Sequence, residues 1–171
     1  MTGFYQRILC AGALVLSSVT LPAALAQDKA RSDTAHATEP TVYVVNFTAD
    51  WCPNCKVLDP ALADALTLVV GLAIAHVTFD LTNAETTNAA FEKVNGTLLG
   101  GVYGDYIGLT GLVVMVAVDS GETISCATRV MDASGIAVTI RDAVKTAATS
   151  PPGKRPAPGF LCPPTNQKRR L

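Results

Sequence analysis

Two cysteines stand two residues apart at Cys52-Pro53-Asn54-Cys55. This spacing suits three kinds of chemistry. Zinc normally needs two such pairs, or one pair with histidines. The other candidate ligands, His36, His76, Cys126 and Cys162, form no second close pair. A purely structural disulfide here would close too small a loop to stabilise much. A redox pair fits best, because one thiolate can attack a partner disulfide and the second can then resolve the mixed disulfide.

Such a pair must be held by its neighbours. Thr41–Thr48 (TVYVVNFT) is β-branched and aromatic and reads as a buried strand. From Cys52 to about Val70 the pattern is helical, with Val57, Leu58, Leu62, Leu66 and Val69 on one stripe and a kink expected at Pro60. Strand then motif then helix puts Cys52 at a helix N-terminus, where free N–H groups favour a thiolate. Pro53 suits the first helical turn. Cys55 follows one turn on, within reach of Cys52.

Farther along, Ala73–Phe79 reads as a strand, and Asn83 or Thr86 caps a helix running to about Val94. Leu112–Val118 is a continuous apolar run, hence a strand covered on both faces. Asp119-Ser120-Gly121 turns a hairpin into an alternating strand, Glu122–Val130, with Ile124, Cys126, Thr128 and Val130 on one face. Asp132 or Ser134 opens a last helix to about Ala148, with Ile136, Ile140 and Val144 inward. The order β-α-β-α-β-β-α predicts an α/β domain with a central mixed sheet and helices on both faces. Residues 97–118 carry one charge, Asp105, and glycines fall at 96, 100, 104 and 108. An irregular loop is expected there, the alternative being a close-packing membrane helix.

The segment Val44-Val45-Asn46-Phe47-Thr48-Ala49-Asp50-Trp51-Cys52-Pro53-Asn54-Cys55-Lys56 resembles the active-site segment of the thioredoxin superfamily. It looks most like the C-terminal thioredoxin-like domain of DsbD-type thiol:disulfide interchange proteins. The resemblance extends through Pro60, Phe79-Asp80-Leu81-Thr82, Gly111-Leu112 and Asp119-Ser120-Gly121, about 108 residues. It implies a thioredoxin-like fold and thiol–disulfide exchange with cysteine-containing protein partners, served by an upstream thiol reductant or oxidant. No bound cofactor is implied. Cys52 would attack and Cys55 resolve. Trp51 would shield the cysteines and offer a docking surface; Asp50 is an electrostatic neighbour or a solvated acid, and Lys56 a surface charge. Two positions depart from the family pattern. The family's buried acid is Asn46 here, which cannot accept a proton. The family's cis-proline position falls at Val113, so a trans bond and a more open loop are expected, with weaker substrate docking and more metal capture. The alternative function is a non-catalytic module holding a soft metal such as Cu(I) through Cys52 and Cys55, or a protein-interaction module.

Cys126 reads first as a buried core cysteine, with a disulfide to Cys162 as the alternative. His76 reads as structural. Tyr103 and Tyr106 either line a partner groove or cap the core.

The chain of 171 residues is 49% hydrophobic and 16% charged, which excludes wholesale disorder. A net charge of −1 gives no reason to expect nucleic-acid binding. Arg7, the uncharged run 8–26 and Ala24-Leu25-Ala26 read as a cleaved signal peptide over 1–26, hence a secreted or periplasmic protein. The alternative is a membrane anchor over residues 8–26. Residues 27–40 read as a linker and 41–148 as the domain. Residues 27–148 carry 7 basic and 14 acidic side chains. Residues 149–171 carry five basic residues, no acid and six prolines, which predicts a disordered tail, or one docked on the acidic body or on anionic lipid.

Overall fold

The computed structural model describes residues 39–166. The signal-peptide region and most of the linker lie outside the described residues. The elements are β1 (Val42–Thr48), α1 (Cys55–Leu68), β2 (Ile74–Asp80), α2 (Ala84–Val94), α3 (Leu98–Tyr106), β3 (Leu112–Ala117), β4 (Thr123–Thr128) and α4 (Ala133–Thr149).

The four strands form one sheet in the order β2-β1-β3-β4. β2 runs parallel to β1, while β3 is antiparallel to both β1 and β4. The expected mixed sheet with helices on both faces is therefore present, and the arrangement is thioredoxin-like.

β1 is central, and its alternate side chains enter two cores. Val42 and Val44 pack with Leu58, Leu62 and Ala65 of α1 and with Ile136, Ile140 and Ala143 of α4. Val45 and Phe47 pack on the other face with Phe79, Val94, Val102, Tyr103 and Tyr106. That second core is organised by edge-on aromatic contacts: Phe47–Phe79 at 5.2 Å, Phe79–Tyr103 at 5.1 Å and Phe47–Tyr106 at 6.0 Å between centroids. Both tyrosines cap the core and still satisfy their hydroxyls, Tyr103 on the Thr87 carbonyl and Tyr106 on Thr123.

Helix starts follow local chemistry. The Asn83 side chain accepts from the Thr86 amide, and Thr86 returns a bond to the Asn83 amide, a reciprocal cap. Asp132 accepts from the Gly135 amide at the head of α4.

Five local expectations are corrected. α1 begins at Cys55 rather than Cys52, and Pro53 lies in the preceding turn. Val57 is exposed, because the buried stripe is Cys55, Leu58, Leu62 and Ala65. The segment after Thr97 is a helix, α3, not an irregular loop. Its three glycines oppose helix formation. Burial of Leu99, Val102, Tyr103 and Tyr106 on one face overrides that cost. Gly100 is the position that requires glycine, since a β-carbon there would sit 2.8 Å from the Val94 carbonyl oxygen at the end of α2. Among the described residues no helix is long and apolar enough to cross a membrane.

The fourth correction concerns β4. Its register shifts opposite Met115 and Val116. Thr123 pairs with Val116 and Ser125 with Met115, leaving Ile124 as the extra residue of a bulge. The bulge moves Ile124 to the α1–α4 core and leaves Cys126 in the aromatic core, so the two do not share a face. Val130 lies beyond the strand and is exposed.

The fifth is the tail. Residues 150–166 depart from the disordered segment that composition suggests. Cys162 is bonded to Cys126, and Arg155 pairs with Asp119 and Glu122. The docked alternative, an acidic body holding a basic tail, describes this segment.

Candidate active site

β1 ends at Thr48, and the chain turns through Ala49-Asp50-Trp51 into the cysteines. The turn is braced from the end of β2. The Asp50 amide donates to Thr82 Oγ1 at 3.0 Å, and the Trp51 indole N–H donates to the Thr82 carbonyl at 2.9 Å. Thr82 is itself fixed by its amide donating to Asp80 Oδ1 at 2.8 Å. Trp51 thus has a tethered edge while 61% of the residue remains exposed.

Cys52 and Cys55 are joined as a disulfide, with Cα atoms 5.3 Å apart. Each is 2% exposed. Cys52 precedes α1, and the Cys55 amide donates to its Sγ at 3.1 Å. The first residue of the helix therefore aims a free N–H at the sulfur, which is the arrangement that favours charge on Cys52 once the bond is opened. Asn54 occupies the N-cap position but makes no side-chain cap bond. Pro53, Asn54, Asp50 and Lys56 are exposed around the pair.

Asn46 is buried in β1 and donates through Nδ2 to Asp59 Oδ1 at 3.0 Å. Thr48 donates to the other carboxylate oxygen at 2.7 Å. Asp59 lies one turn after Cys55 on α1, so an acid does stand beneath this helix, supplied by α1 instead of β1. Its spacing of four from Cys55 is the sequence signal that could have singled it out.

Val113 lies in β3 opposite Asn46 and is fully buried. Gly111, two residues earlier, faces the cysteines: a β-carbon there would lie 3.5 Å from Cys52 Sγ and 2.6 Å from Asn54 Cβ. Its φ of 71° is in the left-handed region, and its amide donates to the Phe47 carbonyl at 2.9 Å. Beside it, Trp51, Leu81, Thr87, Ile107, Gly108 and Thr110 line a groove of about 160 Å³. Among the described residues no group of three or more His, Cys, Asp or Glu side chains is placed to hold a metal ion. His76 stands on β2, and Cys126 and Cys162 are paired with each other apart from the Cys52–Cys55 pair.

Fold and site together define a thioredoxin-fold protein with a disulfide-forming Cys-x-x-Cys pair. The family model described as Thioredoxin matches residues 24–97, a span that includes the pair. Among solved structures the chain is similar to a thioredoxin-related protein from Neisseria meningitidis serogroup B, with 19% identity, 66% of this chain and 88% of that chain covered, and a TM-score of 0.42. It is similar to Trxlp from Edwardsiella tarda EIB202 at 15% identity, covering 64% of this chain and 93% of that one, TM-score 0.41. StoA from Bacillus subtilis gives 16% identity, 58% and 82% coverage, and a TM-score of 0.40. No curated protein matches the chain.

Proposed function

We propose that the protein exchanges disulfides with cysteine-containing partner proteins, with Cys52 as the attacking thiolate and Cys55 as the resolving thiol. The observation that carries this reading is the amide of Cys55 donating to Cys52 Sγ at the head of α1. In the reducing direction, Cys52 thiolate attacks a partner disulfide and one partner sulfur leaves as thiolate. Cys55, deprotonated, then attacks Cys52 Sγ, the second partner sulfur leaves, and the Cys52–Cys55 disulfide remains. The partner gains two electrons and two protons, and an upstream thiol protein must restore the pair. Trp51 and the adjacent groove offer the docking surface. The resemblance to DsbD-type C-terminal domains supports an extracytoplasmic thiol relay. The hydrophobic run before Gln27 supports export to the periplasm or medium.

The test is mixed-disulfide trapping. Cys55→Ser should accumulate mixed disulfides on non-reducing gels, and Cys52→Ser should abolish exchange. Trapping by Cys52→Ser instead would reverse the roles. Tight Cu(I) uptake needing both cysteines, with no exchange, would replace the reading with a metal-binding one.

A further inference from the structure

Among the described residues, contacts of three different chemistries hold the proline-rich segment after α4 to the domain. The Arg155 side chain, 3% exposed, donates to Asp119 through Nη2–Oδ2 at 2.6 Å and Nη1–Oδ1 at 2.9 Å. Its Nη1 also reaches Glu122 Oε2 at 2.8 Å and Ser120 Oγ at 2.7 Å. The Gly153 amide adds a bond to Glu122 Oε1 at 2.7 Å. Next, Cys162 is joined to Cys126 of β4. Last, Asn166 Nδ2 donates to the carbonyls of Gly104 at 2.7 Å and Ile107 at 3.2 Å. Those two carbonyls close the last turn of α3, where a helix lacks its own donors.

The hold at Arg155 is insensitive to reductant. The Cys126–Cys162 bond can be opened by a dithiol, and Cys162 is the more exposed of its two residues, half-buried where Cys126 is buried. The two bonds from Asn166 to these carbonyls are neutral and single, so they depend on the segment being kept in place. The end of α3 leads directly to residues 107–111, of which Ile107, Gly108 and Thr110 line the groove beside Trp51 and Gly111 lies against Cys52 and Asn54.

We propose that residues 156–166 form a redox-gated strap on the Cys52–Cys55 pair. With Cys126–Cys162 closed, the strap fixes the end of α3 and the 107–111 loop over the cysteines. A dithiol opens it: one thiolate attacks Cys162 Sγ, the Cys126 sulfur leaves and is protonated, and the second thiol displaces Cys162 as the dithiol closes to its own disulfide. Two electrons pass to the chain. The strap then swings from Arg155, Asn166 leaves the α3 carbonyls, and the loop over Cys52 loosens. This regulation rests on the reading of Cys52 and Cys55 as the exchanging pair.

The experiment uses the full chain and two variants, Cys126→Ala/Cys162→Ala and Asn166→Ala. The second keeps the disulfide and decides the matter should the first fail to fold. Hydrogen exchange of the amides from Gly104 to Gly111 is one readout. The other is the initial rate at which a small dithiol reduces Cys52–Cys55, followed through Trp51 fluorescence with Cys126–Cys162 in the parent verified by mass. Exchange in this stretch should quicken roughly tenfold and reduction of the pair roughly threefold in both variants. Parental exchange and parental reduction rates in the folded variants would overturn the strap. A parent whose Cys52–Cys55 pair is inert to the dithiol would defeat the exchange reading instead, and the hydrogen-exchange result would still decide whether the strap holds the loop.

Discussion

Gly111 and Asn54 approach each other so closely that no side chain fits between them: a β-carbon at 111 would lie 2.6 Å from Asn54 Cβ. The loop before β3 therefore touches the turn between the two cysteines through bare backbone. Gly111→Ala adds this overlap to the cost of a left-handed backbone, roughly 2–4 kcal/mol in all. It should also slow exchange at Cys52, because the turn must shift to make room. Urea unfolding followed by Trp51 fluorescence checks the first effect. A change within about 0.5 kcal/mol would show that the loop yields freely.

Asp59 anchors β1 to α1 by accepting from both Asn46 and Thr48. Asp59→Ala strips the acceptor from Asn46 Nδ2 in a buried position. The expected loss is about 1–3 kcal/mol of stability. Asp59→Asn, which keeps one carbonyl acceptor, should cost less. Equal losses in the two variants, measured by denaturant midpoints at matched slopes, would contradict this account.

The Cys126–Cys162 bond spans 36 residues of sequence. On the chain-entropy account a closed loop of this size stabilises by about 4 kcal/mol. The double alanine variant should unfold at correspondingly lower urea than the oxidised parent. The oxidised and fully reduced parent should differ in the same direction. Coincident transitions would show that the bond constrains nothing in the unfolded chain.

The acid limb of stability is set partly at the tail. Hydrogen bonding to Arg155 holds the Asp119 carboxyl below its usual range, and the Gly153 amide, then Arg155, does the same for Glu122. A depressed folded value means stability present above the ordinary carboxylate range and lost as pH falls through the folded value. The stability gap between the parent and Arg155→Met should therefore be fullest near neutrality and shrink below about pH 4. It should also shrink with added salt, because both carboxylates remain partly exposed. Thermal melts from pH 7 to pH 2 at two salt concentrations test this, and a gap that widens in acid would refute it.

The sequence by itself determined the sheet and the pair. Apolar runs at β1 and β3, caps at Asn83 and Asp132, and a Cys-x-x-Cys after a strand are local signals, each carried by neighbouring residues. For Tyr103 and Tyr106 they left two roles open, a partner groove or a cap on the core, and the folded aromatic cluster decides for the cap. What they could not decide depended on contacts between distant residues. Helix α3 contradicts the local preference of its three glycines, and only burial of its tyrosine face explains it. The β4 bulge is invisible in a two-residue alternation, because register exists only relative to β3.

The site divides in the same way. Cys52, Cys55 and Trp51 were legible from spacing and resemblance. The pairing of Asp59 with Asn46 and Thr48, the approach of Gly111 and the brace at Thr82 were not, since each joins elements more than ten residues apart. The tail is the plainest case. Its prolines exclude a long helix or a central strand, and that much composition determines. Whether it stays free was decided by the acidic β3–β4 turn that receives Arg155 and by the place of Cys126 on the face that Cys162 can reach, both products of the folded sheet.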